Sequence, residues 1–192
     1  MRMRVRNILG ATALSLLAFS HGGLADSDSF TGLKVGLDLG MGYAGVNPDT
    51  KDAVRGMYLG QQVGLSAEYG MDISGFYAGL CLGYDFAMFP KKDVAFQYKS
   101  AMRGDLHLGA ALSNSVMPTL FIGYGSNSVE YTPPTTGDKK KESHAGLRYG
   151  ARINFKIMPE MFAGLSTAWM DAKKNKNKSA YMLTMLSVGY HL

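Results

Sequence analysis

The chain has 192 residues, a length that suits one domain, with 46 % hydrophobic residues, 24 glycines and a formal charge of +5. No uncharged apolar run beyond the N-terminus approaches the roughly 20 residues of a membrane-spanning helix, and a single cysteine, Cys81, excludes an intramolecular disulfide. Most glycines fall at alternate positions inside apolar stretches, which argues against a helical protein and for strands that close around a narrow interior.

The N-terminus reads as a secretory signal. Arg2, Arg4 and Arg6 form a charged region, Ile8 to Phe19 a short apolar one, and Gly23-Leu24-Ala25 places small residues where a signal peptidase cuts. Cleavage after Ala25 makes residues 1–25 a signal peptide and 26–192 the folded domain. It removes three arginines and lowers the formal charge from +5 to +2.

Strict period-two alternation begins at Leu33. Leu33, Val35, Leu37, Leu39, Met41 and Tyr43 share one face of a first strand, with Lys34, Asp38 and four glycines on the other. A polar loop from Val46 to Arg55 precedes a second strand over Gln61–Met71, with Ser66 and Glu68 inward. Asp72-Ile73-Ser74-Gly75 turns the chain into a third strand, Phe76 to Phe86, with Tyr77, Cys81 and Asp85 inward. After a longer segment from Pro90 to Ser100, a fourth strand carries Arg103, Asp105 and His107 inward and Leu106, Leu108 and Leu112 outward. A short turn, Ser113–Ser115, leads to a fifth strand with Leu120, Ile122 and Tyr124 outward.

The longest loop is expected over Ser126 to Ser143. A sixth strand then sets Leu147, Tyr149, Ile153 and Phe155 outward against Arg148, Arg152, Asn154 and Lys156. Met158-Pro159-Glu160 turns into a seventh strand, whose Phe162, Gly164, Ser166, Ala168 and Met170 point inward. A lysine-rich loop, Asp171 to Lys178, precedes the eighth strand, Ser179 to Leu192, whose outward set Ala180, Met182, Thr184, Leu186, Val188 and Tyr190 is almost wholly apolar.

Eight strands joined by alternating long and short connections predict an all-β fold: an eight-stranded antiparallel up-and-down transmembrane β-barrel, with the long loops outside the cell. Outward aromatics sort into two belts, Tyr43, Tyr84, Phe86, Tyr124 and Trp169 at the loop ends and Tyr69, Phe76, Phe155 and Tyr190 at the turn ends. Aromatic rings settle at membrane interfaces in this way, and a soluble sandwich has no reason to produce two such belts. A charge at the lipid-facing Leu186 or Val188 should then cost far more than one at the lumen-facing Ser187.

The signal, the eight strands, the Gly-rich lumen, the basic outer loops and the closing strand SAYMLTMLSVGYHL resemble the OmpA-like or opacity-type outer-membrane β-barrel proteins of Gram-negative bacteria. Leu192 stands where that family's assembly signal has a terminal Phe. The resemblance implies an integral surface barrel folded by the outer-membrane assembly machinery and serving as a surface antigen or adhesin. The peptidoglycan-binding domain of the longer members is not expected here, so anchoring to the cell wall is not carried over.

Two groups of residues carry possible function. Lys34, Asp38, Glu68, Asp85, Arg103, Asp105, Arg148, Arg152 and Lys156 all face the interior, and an eight-stranded barrel leaves room inside for side chains alone. Buried ions of this kind must pair. They form either a salt-bridged plug or the lining of a narrow ion-conducting pore, gated when pairs exchange partners. The second group is basic: Lys139, Lys140, Lys141, Lys173, Lys174, Lys176 and Lys178, with Lys51, Lys91 and Lys92, in the outer loops. Lysines there would touch lipopolysaccharide phosphates or anionic molecules of a host surface.

Enzymatic chemistry is not expected. His107 reads as a paired lumen group, His144 as the one histidine exposed at the outer mouth, near Ser143 and Glu142, and His191 lies at the opposite rim. None has the spacing of a nucleophile–base pair. No metal-ligand spacing and no phosphate-cradling glycine motif predict a cofactor. Nucleic acid is not an expected partner, since the basic residues sit at a membrane rim.

Overall fold

The computed structural model describes residues 27–46, 54–88, 96–132, 139–174 and 177–192. The expected signal segment, 1–25, and Lys51, Lys91, Lys92 and Lys176 lie outside the described residues, and Lys173, Lys174 and Lys178 are described by their backbone alone. A one-turn 3-10 helix, Ser27–Phe30, leads into eight strands: β1 (Gly32–Val46), β2 (Val54–Ile73), β3 (Phe76–Ala87), β4 (Phe96–Gly109), β5 (Val116–Tyr131), β6 (Lys140–Lys156), β7 (Met161–Lys174) and β8 (Asn177–His191). Each pairs antiparallel with the next, and β1 closes on β8 from Lys34↔His191 to Val46↔Ser179. The sheet therefore has no free edge, as a bilayer requires, where every backbone polar group must be satisfied internally.

The connections at one end are tight. Between β2 and β3, Ser74 (φ 56°) and Gly75 (φ 87°) are both left-handed, the requirement of a type I′ hairpin turn, and the Asp72 carboxylate accepts the Gly75 N–H at 3.0 Å. Between β6 and β7, the Ile157 N–H reaches the Met161 carbonyl at 2.9 Å.

The predicted faces are the observed ones. Leu33 through Tyr43 at alternate positions, and Leu65, Leu82, Leu106, Ile122, Ile153, Leu165 and Leu186 on the neighbouring strands, are all exposed, while the residues between them are mostly buried. This apolar wall runs around the whole barrel, far beyond the few hundred Å² of contiguous apolar surface a soluble monomer shows. The aromatics expected at its two belts are exposed on it, Tyr43, Tyr84, Phe86 and Tyr124 of the upper set and Tyr69, Phe76, Phe155 and Tyr190 of the lower, and Trp169 leans on Tyr149 (centroids 6.4 Å apart).

The strand lengths differ from the sequence reading. A tilted membrane strand needs about 9–11 residues, yet β2 has 20, β5 16 and β6 17. The expected loop Ser126–Ser143 is largely strand, and Lys140 and Lys141 stand on β6. Likewise Lys173 and Lys174 end β7 and Lys178 belongs to β8, so most of the expected loop Asp171–Lys178 is strand. Above the upper belt the in–out alternation of these strands continues but the polarity of the two faces inverts: Ser126, Ser128, Glu130 and Ser143 face out, with a Ser126–Ser143 Oγ contact of 2.9 Å, and Val129, Ala172 and Tyr181 face in. A register shift between Tyr98 and Ser100 helps to build this inverted zone. It turns Tyr98 inward (2 % exposed) and leaves Lys99 outside against Glu130 at 3.5 Å, the opposite of what unbroken alternation from Arg103 would give.

Two outcomes follow. Leu186→Arg should destabilise the barrel in lipid vesicles by about 2–4 kcal/mol in a urea titration, because the charge would face hydrocarbon between the belts. Ser187→Arg should be no milder control, contrary to the sequence expectation. Ser187 is 4 % exposed and packed among side chains; an extra long side chain in a filled core costs about 1–3 kcal/mol, and an uncompensated cation buried there adds about 3–5 kcal/mol.

Candidate functional site: the packed lumen and the outer rim

The lumen is filled in layers. At the turn end, Phe30 from the 3-10 turn packs with Tyr77, Ala111 and Met117, all buried. This stopper has no signature in the sequence, because SDSF has no periodicity to read. Lys156, expected in the charge network, instead donates to the Ser29 carbonyl at 3.3 Å and holds that turn in place.

The next layer centres on Glu68. Its carboxylate accepts from Lys34 Nζ at 3.1 Å, from Arg152 at 3.0 Å and from the Tyr77 hydroxyl, and Lys34 also reaches the Tyr77 oxygen at 2.9 Å. The register explains the first contact, since Lys34 and Glu68 are direct cross-strand partners. Tyr77 fits because Gly70 and Gly79 flank its ring; a methyl at either position would overlap it. Lys34 sits over the Tyr77 ring at 4.6 Å and Arg152 over Phe162 at 5.8 Å. His107 Nδ1 lies 3.8 Å from Glu68 and its ring stacks on Phe121, so the expected paired lumen histidine faces Glu68 rather than its sequence neighbour Asp105.

Above this, Arg103 bridges Asp38 and Asp85, and Arg148 pairs with Asp105 while lying 5.1 Å over Phe121. Four buried carboxylates (Asp38, Glu68, Asp85, Asp105) thus meet four buried cations (Lys34, Arg103, Arg148, Arg152). One oxygen of each aspartate has no hydrogen-bond partner among the described residues. Two voids of about 30 and about 20 Å³ border them, each with room for about one water molecule.

An apolar layer closes the outer end: Tyr98, Ala101, Val129, Met170, Ala172 and Tyr181. His144, expected to be exposed, is 0 % exposed inside this end; its Nδ1 meets the Tyr181 hydroxyl at 2.8 Å and its Nε2 the Glu142 carboxylate at 3.0 Å. Unbroken alternation along β6, which also turns Gly146, Arg148 and Arg152 inward, buries it.

The basic group lies at the rim. Lys139, Lys140 and Lys141 are exposed. Glu130, across from Lys141 on β5, lies 3.7 Å from Lys139 and 3.5 Å from Lys99. Lys173, Lys174 and Lys178 occupy the facing ends of β7 and β8, where Lys173 pairs in register with Lys178.

The family model described as the outer membrane protein beta-barrel domain matches residues 11–191. Among solved structures, Neisserial surface protein A aligns with a TM-score of 0.56 at 11 % identity, over 84 % of this chain and 98 % of that one. The attachment invasion locus protein Ail of Yersinia pestis aligns at 0.54 and 15 % identity, over 84 % of this chain and all (100 %) of that one. Ail in complex with the heparin analogue sucrose octasulfate aligns at 0.50 and 14 % identity, with the same coverage of 84 % and 100 %. At such identities the likeness is one of fold. No curated protein matches the chain in sequence.

Arg103→Met should destabilise the barrel by about 3–5 kcal/mol, because it strands Asp38 and Asp85 as buried unpaired charges. Adding Asp38→Asn and Asp85→Asn should recover most of the loss. Urea unfolding in vesicles measures both, and a single variant no weaker than wild type would mean that these carboxylates are not buried as ions.

Proposed function

Given that the chain belongs to the outer membrane protein β-barrel family and is an integral outer-membrane barrel, we propose that it is a closed structural surface protein whose basic outer rim binds polyanions. It acts as a surface antigen or adhesin, with residues 1–25 as the export signal and the outer-membrane assembly machinery as the folding partner. The observation that carries the reading is the position of the lysines. Lys140 and Lys141 on β6, Lys173 and Lys174 on β7 and Lys178 on β8 occupy neighbouring ends of three consecutive strands, so the two clusters belong to one side of the rim. Clustered cations raise the local concentration of anionic ligands such as sulfated glycans and lipopolysaccharide phosphates.

The alternative of a narrow ion-conducting pore is less well supported. Apolar layers lie above and below the ion pairs, and the voids between them are about one water in size. Planar bilayers should record no steady conductance from the folded barrel.

Binding of the vesicle-embedded protein to sucrose octasulfate tests the rim. Replacing Lys139, Lys140, Lys141, Lys173, Lys174, Lys176 and Lys178 by Gln should abolish salt-sensitive binding, and unchanged binding would refute the reading. Glu130→Gln should act in the opposite direction. It removes the carboxylate held near Lys99 and Lys139 and should tighten binding, most clearly at low ionic strength, where exposed charges are least screened.

A further inference from the structure

Glu68, Cys81 and His107 have no spacing in sequence that suggests a site, but the register gathers them. Cys81 on β3 lies directly across from Glu68 on β2, and His107 on β4 pairs with Gly79, two residues from Cys81 on the same face. One oxygen of Glu68, Cys81 Sγ and one ring nitrogen of His107 all lie within 4.8 Å of one another, and all three side chains are buried. His107 is 3 % exposed and its Nδ1, the atom turned toward Glu68, has no hydrogen-bond partner among the described residues. The void of about 20 Å³ is lined by Cys81, His107 and Met185, with Asp105 and its neighbours Arg103, Arg148 and Arg152 also on its wall; Met185 Sδ accepts from Arg103 Nη1 at 3.4 Å, which leaves the Cys81 thiol and the His107 imidazole as the donors facing it.

The geometry points to a metal site here, taking one soft monovalent cation of the Cu(I) class between Cys81 Sγ and His107 Nδ1. Thiolate and thioether sulfur favour Cu(I) over harder ions. Metal–sulfur and metal–nitrogen bonds of about 2.3 and 2.0 Å laid end to end span roughly 4.3 Å, which suits two donors held this close. Both Glu68 oxygens already accept from Lys34, Tyr77 and Arg152, so the carboxylate borders the ion and is not its main ligand. Charge selects the valence. The lumen balances four carboxylates with four cations. Binding of Cu(I) releases the thiol proton as the Cu–S bond forms, exchanging one unit positive charge for another. Zinc would leave one uncompensated positive charge beside Arg152 and Lys34 in a water-poor interior. Phe121, stacked on His107 with centroids 5.1 Å apart, holds the ring in the orientation that aims Nδ1 inward. With apolar layers closing both ends of the finished lumen, the ion enters while the barrel folds.

The test is refolding in detergent with Cu(I) under anaerobic reducing conditions, or with Zn(II), followed by desalting through a chelating column and elemental analysis. Folding is checked by the shift in gel mobility between unboiled and boiled samples. The expected result is equimolar copper and no zinc in the wild-type barrel. Cys81→Ser and His107→Gln, while still showing the gel shift, should lose the copper, and copper should raise the urea midpoint of the wild type alone. Absence of retained copper, copper that survives both substitutions, or equimolar zinc would overturn the site. If either variant fails to fold, X-ray absorption of the copper-loaded wild type decides. A thiolate sulfur with an imidazole nitrogen upholds the site, and thioether-only or oxygen-only coordination overturns it.

Discussion

The narrowness of an eight-stranded barrel governs the rest of this structure. Closure of β1 on β8 encloses a space that side chains must fill, and the strands that cross lipid must put their polar residues into that space. Each ion placed there loses hydration worth several kcal/mol, which its partners can restore only at close range. The pairing follows from this: Glu68 gathers two cations and a hydroxyl, Arg103 divides itself between two aspartates, and aromatic faces at Tyr77, Phe121 and Phe162 support the cations that remain partly unsatisfied. Glycine across the strands is the other half of the same constraint. Gly83, for example, lies against the Arg103 guanidinium, where a side chain would displace it.

The same constraint explains why the polarity of the two faces reverses along single strands. On the membrane level of β5, Ile122 and Tyr124 face lipid; further along the same strand, Ser128 and Glu130 face water and Val129 faces in. A strand face is apolar where its surroundings are apolar, and the surroundings change at the upper aromatic belt. Below it the barrel is wrapped in hydrocarbon around a polar core, and above it the barrel is a water-facing β-structure around an apolar core. The register shift at Tyr98 is a local device for crossing from one pattern to the other.

What the sequence disclosed follows this division. Strand number, order, face assignment and the interior charges were legible because period two with apolar residues outward is a strong pattern over the membrane level. The upper strand halves look like loops in the sequence because Ser126, Ser128, Lys140, Lys141 and Ser143 put polar residues where the membrane level has apolar ones outward. His144 was misplaced for the same reason. The partners inside the lumen were only partly legible. Lys34–Glu68 follows from adjacent strands once their register is known, but Arg152–Glu68 spans the barrel interior, and a one-residue slip in any strand would remove it. The stopper formed by Phe30 had no periodic signal at all.

Layering also separates the two candidate roles of this protein. The ion pairs lie between apolar layers, and the lysines of the rim lie beyond the outer one. Charges that share neither a water-filled path nor a hydrogen-bond chain couple weakly, and surface charges at this distance are further screened by salt. The rim can therefore vary its charge without disturbing the lumen, and the lumen can be rearranged without changing what the rim presents. A barrel organised in this way stabilises itself through enclosed side chains, and its exposed rim lysines contribute little to its stability.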